Sequence, residues 1–414
     1  MKDKHTWDWQ TPVKEIPVGE WADQYNWVED PCITPDGETV ASIVNVDEAA
    51  FSICVNGDLW EGEFEKAWSL KALPDNRYAA AVCADEEWQL LVDGEAWSST
   101  FDFIWHLMAT PDGEHIGVAC QKDMEYSMAV DDEPWEEGFE NITGTILGPD
   151  GACAAVVQAE SMAAADVEAF AKGIFGIAVN GVCSDQRFLN AWDLSFDPRG
   201  QDVAFAVRMN RETYGVAVNG EFWDTQFQAV WGPKFLIHEP GVIAPVRIGG
   251  KWRLYKDNAP LWDNGYDNVW HLLPNPVNTD IAAIVAKSFG QWSVAVNDRP
   301  WSLTWDTMVR ELIFSENGKG LAAVFKDKGS WGVAVNDKAW SLSCDKLFTP
   351  SLSRDGSVAA VCFEKRGQYF TAVNDKVITG PCSYMADPVV SPDGDAVLVK
   401  AIENGIYKRK VVVL

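Results

Sequence analysis

One short motif recurs through the whole chain at nearly constant spacing. Val followed by Asn or Asp and then Gly or Asp occurs eight times in 414 residues, with a degenerate ninth copy at Lys256-Asp257-Asn258. Successive copies lie 37 to 40 residues apart, apart from one interval of 49, and they begin at Val55, Val92, Val130, Val179, Val218, Val296, Val335 and Val373. A period of this length predicts a solenoid, a propeller or another repeat array.

A second motif, Pro-Asp-Gly or a variant of it, precedes the first by about 20 residues. Its copies begin at Pro35, Pro74, Pro111, Pro149, Pro198, Arg354 and Pro392. Both motifs favour tight turns, because Asn, Asp and Gly tolerate positive φ and Pro fixes the first corner of a turn. The apolar runs between them are too short for helices and are typical of buried strands. Each unit therefore predicts four antiparallel strands, the size of one propeller blade.

An aromatic ladder follows most copies of the first motif, with members four and eight residues apart. Examples are Trp60/Phe64/Trp68, Trp97/Phe101/Trp105, Trp223/Phe227/Trp231 and Trp262/Tyr266/Trp270. The chain has 21 Trp residues, more than its 19 Phe or 9 Tyr. We interpret the ladders as packing between adjacent blades, since a Trp buries ~150–250 Å². The alternative is an aromatic platform for a sugar or another ligand.

The predicted fold is an all-β propeller of about ten four-stranded antiparallel blades. The last unit ends without its aromatic segment, and residues 16–27 resemble the missing piece, with Trp21 and Tyr25 in ladder spacing. We therefore expect an N-terminal strand to complete the C-terminal blade, with Trp21 and Tyr25 closing the ring. The domain prediction is a leader at 1–15 and a propeller at 16–414. Two smaller propellers are the alternative, and end-to-end closure favours one ring.

Three departures from the repeat are candidate partner-binding segments. The long interval contains an Ala- and Glu-rich insertion, 158–173, that predicts a short amphipathic helix with Met162, Val167 and Phe170 on one face. This helix either folds onto its own blade or docks on a partner. Trp7 and Trp9 of the leader pack either on the propeller or on another subunit. Lys251 and Arg253 belong to a basic stretch that is either solvated or a docking face.

The charge of the chain excludes some partners. Asp and Glu number 62 against 33 Lys and Arg, which gives a net charge of −29. Such a polyanion repels phosphate backbones, so nucleic acid and anionic lipid are not expected as main partners. The charge serves either solubility or contact with a basic partner. The first residues contain no apolar signal region, no run of 18 apolar residues occurs, and nine scattered cysteines form no CxxC pair. These features predict a cytoplasmic protein with reduced cysteines and no membrane span.

We expect no enzymatic activity, no metal and no cofactor. The five histidines lack zinc-site spacing, and neither GxSxG nor a phosphate-binding GxxxxGK[ST] motif is present. The aspartates of the turn motifs recur in most units, which makes them poor candidates for a unique catalytic acid. An enzyme of the lactonase or hydrolase kind is the least favoured alternative.

The repeat resembles the WD-repeat-like propeller repeats of bacteria, without the GH…WD signature of eukaryotic WD repeats. The whole chain resembles the tryptophan-rich D-subunit family of the Tmc transmembrane redox complexes of sulfate-reducing bacteria. The resemblance rests on the length, the Trp-rich repeats and the absence of signal and cofactor motifs. It implies partners: an iron–sulfur subunit of the heterodisulfide-reductase type, a membrane cytochrome b and a multihaem cytochrome c.

The expected function is therefore that of a non-catalytic cytoplasmic scaffold in a membrane-associated electron-transfer complex. Such a subunit would be peripheral on the inner face of the plasma membrane and would take part in sulfate respiration. The alternative is a free-standing Trp-rich propeller that binds a small ligand or a sugar.

Overall fold

The computed structural model describes residues 4–161 and 167–414, and most of these residues lie in β-strands or the turns between them. Its four short helices are two 3₁₀ helices, Lys4–Thr6 and Val18–Glu20, and the α-helices α1 (Trp21–Gln24) and α2 (Val167–Lys172). The chain divides into two compact units. Unit 1 comprises Met1–Trp97, Gly290–Ser293 and Trp301–Leu414, and unit 2 comprises Ser98–Phe289 and Val294–Pro300.

The strands form ten antiparallel sheets, the blades of a β-propeller, which confirms the predicted fold class. The N-terminal part contains β1 (Val13–Ile16), blade 1 with β2 (Trp27–Val28), β3 (Cys32–Ile33), β4 (Val40–Asp47), β5 (Ala50–Val55) and β6 (Asp58–Leu59), and blade 2 with β7 (Lys66–Ala72), β8 (Tyr78–Ala84), β9 (Glu87–Val92) and β10 (Glu95–Ala96). Blades 3 and 4 consist of β11 (Phe103–Ala109), β12 (Ile116–Lys122), β13 (Glu125–Val130), β14 (Glu133–Pro134), and of β15 (Ile142–Leu147), β16 (Cys153–Gln158), β17 (Phe175–Val179), β18 (Val182–Cys183).

The remaining blades follow in chain order. Blades 5 to 7 consist of β19 (Asn190–Phe196), β20 (Val203–Arg208), β21 (Tyr214–Val218), β22 (Glu221–Phe222); of β23 (Ala229–Val230), β24 (Lys234–Phe235), β25 (Val242–Ile248), β26 (Lys251–Lys256), β27 (Ala259–Pro260); and of β28 (Asn268–Pro274), β29 (Ile281–Ala286), β30 (Trp292–Val296), β31 (Arg299–Pro300). Blades 8 to 10 consist of β32 (Met308–Phe314), β33 (Leu321–Asp327), β34 (Ser330–Val335), β35 (Lys338–Ala339); of β36 (Lys346–Leu347), β37 (Ser351–Leu352), β38 (Ala359–Lys365), β39 (Gln368–Val373), β40 (Lys376–Cys382); and of β41 (Tyr384–Val390), β42 (Ala396–Glu403), β43 (Ile406–Val413), completed by β1.

The Val-Asn-Gly motifs form the tight turns between third and fourth strands. Asn56 and Gly57 have φ of 53° and 104°, the left-handed geometry that Asn and Gly tolerate best. The Asn56 side chain also accepts a hydrogen bond, 2.9 Å long, from the backbone N–H of Val40, at the start of the second strand of its blade. In the same way, Asn219 accepts a hydrogen bond from the backbone N–H of Val203, and Asn336 accepts one from Leu321. Asn or Asp therefore suits this position for two reasons: its side chain accepts this hydrogen bond, and its backbone tolerates positive φ.

The first two aromatic residues of each ladder pack between adjacent blades. They lie after the fourth strand, which is only two residues long in most blades. In blade 5, β22 has two residues, and Trp223 and Phe227 follow it and pack against Val242 and Ala244 of blade 6. The third ladder member lies in the first strand of the next blade, where it pairs with an aromatic of the third strand. In blade 2 the rings of Trp68 and Trp88 are 5.6 Å apart.

The first strand of each blade is irregular near its middle. In blades 2, 3, 4, 5 and 7 it contains a β-bulge whose residue has positive φ, and these residues are Ser69, His106, Gly144, Asp193 and His271. In blades 1, 6 and 9 the strand is split in two at Pro31, Pro233 and Pro350, because proline has no N–H for the ladder. We call this place in each blade the bulge position.

Blade 10 is completed by the N-terminal strand, as predicted. β1 pairs antiparallel with β43, with Val13 opposite Lys410 and Ile16 opposite Tyr407. The strand begins at Val13, within the range that the sequence assigns to the leader. Gly19 then donates its N–H to the carbonyl of Gly405 at 2.6 Å, an approach so close that a Cβ on Gly19 would lie 2.9 Å from the Gly405 Cα. Only glycine allows this contact.

Candidate functional site

The strongest candidate for a partner-binding surface lies at one edge of the blades of unit 2, where second strands connect to third strands. Large apolar side chains project from these connections. Met124, between β12 and β13, is 83% exposed, and Phe289, between β29 and β30, is 99% exposed. Val167 and Phe170 of α2 occupy the corresponding connection of blade 4 and are also exposed. We call Met124, Val167, Phe170 and Phe289 the loop-tip residues.

The insertion that carries α2 is closed at its base by backbone hydrogen bonds. The N–H of Ala159 donates to the carbonyl of Ile174 at 2.8 Å, and Gly173 donates to Phe170 at 3.0 Å. Gly173 packs so close to Phe188 that a Cβ would lie 2.7 Å from its carbonyl carbon. The base is therefore fixed, while the helix presents Val167 and Phe170 to solvent. Met162, the third residue predicted on this face, lies outside the described residues.

The two leader tryptophans pack on unit 1. Trp7 is buried, and its ring stacks on that of Trp9 with centroids 6.3 Å apart and an interplanar angle of 14°. Trp7 also lines a cavity of about 250 Å³ together with residues of blades 1, 8, 9 and 10. The Trp9 indole N–H donates to the carbonyl of Lys4 at 2.8 Å. The structure therefore places both indoles against the protein's own chain.

Lys251 and Arg253 of the basic stretch both contact groups of their own chain. Lys251 forms a 2.5 Å ion pair with Asp267, and Arg253 donates to the carbonyl of Asp263. The Lys251 ammonium holds the pKa of the Asp267 carboxyl below its usual range. Lys251 is thus a charge already matched by an acid, which weakens its attraction for an acidic partner.

Trp21 and Tyr25, the residues predicted to close the ring, lie where the N-terminal segment meets blade 1. Trp21 is 3% exposed and belongs to a cluster with Val40, Cys54 and Tyr407, while Tyr25 packs at its edge. Tyr25 differs from its counterparts in one respect: it follows the short helix α1 and bonds back to Trp21 instead of bridging to a third strand.

Unit 2 also contains a cleft of about 910 Å³ that motif analysis does not predict. It is lined by bulge positions and their neighbours from blades 4, 5, 6 and 7, including Asp193, Trp231, Lys234 and His271. A bulge adds one residue to a regular strand, so the repeat alone does not reveal which side chains it turns outwards. The one sequence signal of these lining residues is that the residue type directly after the third ladder aromatic differs from blade to blade.

Two further properties of residues 4–161 and 167–414 concern metal binding and membrane insertion. Within these ranges no group of three or more His, Cys, Asp or Glu side chains is arranged to hold a metal ion. No helix within them is long and apolar enough to cross a bilayer. All nine cysteines are free thiols, and burial raises the pKa of Cys120 and Cys382 to about 11.

Comparisons with known proteins agree with the fold. No family model matches the chain, and no curated protein matches its sequence. A crystal structure of the eukaryotic initiation factor is similar at 12% identity, over 80% of this chain and 90% of that one, with a TM-score of 0.47. A structure of the Dos1 propeller (12%, 76% and 92%, TM-score 0.38) and the Cps50 (Swd1) β-propeller domain of Myceliophteria thermophila (13%, 66% and 96%, TM-score 0.31) are also similar. The β-propeller fold of the chain is shown by its own strand pairing. Identities and TM-scores this low carry no functional argument.

Proposed function

We propose that the protein is a non-catalytic scaffold that binds partner proteins through its loop-tip residues. The observation that carries this proposal is the exposure of Met124 and Phe289 at the same edge of the blades of unit 2. Scattered apolar residues are normal on protein surfaces. The loop-tip residues, however, project from the same kind of connection in blades 3, 4 and 7, which makes this edge of unit 2 a candidate docking surface.

The energy available at these tips is sufficient for specific binding. Full burial of one Phe or Met side chain contributes about 1.5–3 kcal/mol, so each loop-tip residue that a partner covers adds to the affinity of the interface. We place docking here because Trp7 and Trp9 are packed on unit 1 and Lys251 is paired with Asp267. The net charge of −29 favours a partner with a basic rim.

The resemblance of the whole chain to the tryptophan-rich D-subunit family of the Tmc complexes supports a more specific form of the proposal. In this form the protein is a cytoplasmic accessory subunit at the inner face of the plasma membrane. Its partners are an iron–sulfur subunit of the heterodisulfide-reductase type, a membrane cytochrome b and a multihaem cytochrome c. It carries no redox centre of its own and contributes by holding subunits together.

The test is purification from the native host through a tag on this chain, in mild detergent, with subunits identified by mass spectrometry. We expect iron–sulfur and cytochrome subunits, with haem and iron, in fixed ratio to the tagged chain. A lone, colourless chain that needs no detergent would contradict the proposal.

A matched pair of variants tests the surface itself. The double variant Met124→Ser/Phe289→Ser should lose most of the partner subunits, because it removes the apolar tips without touching the core. The control is Val182→Ser, which changes a residue that is 74% exposed beside the Asn180-Gly181 turn, at the opposite edge of blade 4. Equal retention by the double variant and the control would remove the loop-tip residues from the interface.

A further inference from the structure

Glycines occupy two of the bulge positions that line the cleft in unit 2. Blades 4 and 6 have Gly144 and Gly232 at the bulge position, where the neighbouring blades 5 and 7 have Asp193 and His271. Both glycines line the cleft, whose volume of about 910 Å³ falls within the ~300–1,000 Å³ range of small-ligand sites. A Cβ at Gly232 would lie only 3.2 Å from the Asp193 Cβ, so glycine at this position leaves room for the Asp193 side chain in the cleft wall.

One wall of the cleft is an aromatic platform. Trp231 is 43% exposed, and it stacks on the buried Trp252 with ring centroids 5.4 Å apart and planes only 7° from parallel. The backbone of Trp231 is also fixed, because its N–H donates to the Pro245 carbonyl at 3.0 Å. One indole face is therefore held by the protein and the other is available to a ligand. A preorganised platform costs little ordering on binding.

The polar groups of the cleft combine acceptors and donors, and the ammonium of Lys234 matches the carboxylate of Asp193. Asp193 accepts a hydrogen bond from the backbone N–H of Gly232. Burial raises the pKa of this carboxyl, and the nearby Lys234 ammonium acts in the opposite direction. Lys234 offers three donors, and His271 adds an imidazole across the cleft.

We infer that this cleft binds a neutral carbohydrate. The C–H face of a sugar ring packs on the exposed face of Trp231, its hydroxyls donate to Asp193, and Lys234 donates to ring or hydroxyl oxygens. An organic anion or cation is not favoured, because the charges of Asp193 and Lys234 cancel within a chain of net charge −29. A polyhydroxylated ring uses all three features: the flat apolar face, the acceptor and the donor.

This inference goes beyond the scaffold function, because the cleft and the loop-tip residues share no side chain. It is tested on the purified protein by isothermal titration with five linear hexasaccharides: cellohexaose, laminarihexaose, maltohexaose, mannohexaose and chitohexaose. We expect saturable binding of at least one. Failure of all five at millimolar concentration would overturn the inference.

Variants locate the site. Trp231→Ala should weaken binding at least tenfold, whereas Trp231→Phe keeps an aromatic platform and should weaken it less. Asp193→Asn should weaken binding several-fold. The control is Trp27→Ala, which removes an indole that is 50% exposed in unit 1 and should leave affinity unchanged. Equal losses in Trp27→Ala and Trp231→Ala would place binding elsewhere. Trp231→Ala should still co-purify with partner subunits, which separates failure of this site from failure of the scaffold function.

Discussion

The aspartates that replace Gly in some hairpin turns show how much of the chain's acidity is structural. In blade 8 the carboxylate of Asp337 accepts hydrogen bonds from the backbone N–H groups of Ser302 and Leu303, in the segment preceding that blade. Asp375 makes the same contacts with Ser341 and Leu342. Each such Asp fixes the segment that precedes its own blade, a role that suits its recurrence and differs from catalysis.

Arg409 is a fully buried charged residue that connects three parts of the fold. Its side chain has no exposed area, yet Nε lies 3.0 Å from both the Asp36 carbonyl and a Glu38 carboxylate oxygen, and Nη2 donates to the Asp8 carbonyl at 2.6 Å. It therefore joins blade 10, the turn of blade 1 and the leader.

Replacing Arg409 by Met should lower the free energy of unfolding by about 3 kcal/mol, because Glu38 and two carbonyls lose a buried partner. Urea-induced unfolding measures the change. The control Arg199→Met removes an exposed guanidinium from Asp197, whose carboxylate keeps the backbone N–H groups of Gln201 and Asp202, and it should cost less than about 1 kcal/mol. Similar losses in the two variants would contradict this account of Arg409.

Lys400 gives the fold a pH dependence of predictable sign. Its ammonium is buried and donates to the Pro35 carbonyl at 3.2 Å. Burial lowers its pKa from 10.5 to about 8, against the attraction of Asp387 and Asp36. Between pH 8 and 10.5 the unfolded chain therefore binds the proton that the folded chain has released, so this residue's contribution to stability rises with pH in that window.

The comparison variant is Lys400→Met, which cannot titrate. The unfolding free energy of the wild type relative to this variant should increase by about 2 kcal/mol between pH 7.5 and 10. Urea unfolding at several pH values gives the difference and removes the contributions of Tyr and Cys residues common to both proteins. A difference that stays constant would mean that Lys400 keeps an ordinary pKa.

At the scale of elements, β1 is the strand on which closure of blade 10 depends. It covers β43, and the segment after it brings Trp21 into the core beside Tyr407. Deletion of residues 1–27 exposes the edge of β43 and empties the Trp21 site.

This deletion should lower Tm by about 10 °C, because it removes contacts worth several kcal/mol and each kcal/mol shifts Tm by ~2 °C in a chain of this size. Scanning calorimetry checks the result. A synthetic peptide of residues 1–27 added in trans should restore part of the loss by pairing with β43. An unchanged Tm would show that closure does not stabilise the fold.

The elements that sequence could predict are those with local turn chemistry. Turn motifs such as Asn56-Gly57 and Pro35-Asp36-Gly37 determine where the chain reverses direction. The spacing of all their copies therefore reveals the number of blades and the strand order. The bulges are not predictable from turn motifs, since different residue types adopt the positive φ there, among them Ser69, for which such a φ is uncommon. The cleft escaped prediction for the same reason: it is built from bulge positions. Trp231 is recognisable as a ladder residue, but only the structure shows one of its faces exposed.

At the scale of the whole molecule, different residues have different tasks. Turn and ladder residues build the blades, and the connections of unit 2 present apolar tips. The exposed tips, unlike the repeated turns, differ from blade to blade: Met124 has an exposed apolar side chain, whereas Gly249 and Gly250 occupy the same connection of blade 6. Partner specificity at this edge would come from such differences.

Site-specific photocrosslinking at Phe289 tests the proposed docking surface most directly. Replacing Phe289 with p-benzoylphenylalanine, in the native host, keeps an aromatic side chain at a position that is 99% exposed. Illumination should join this chain to a partner protein, which the proposed function expects to be an iron–sulfur subunit, identified by mass spectrometry of the adduct, while the same probe at Val182 should give no such adduct. An adduct at Val182 alone, or none at either position, would contradict docking through the loop-tip residues.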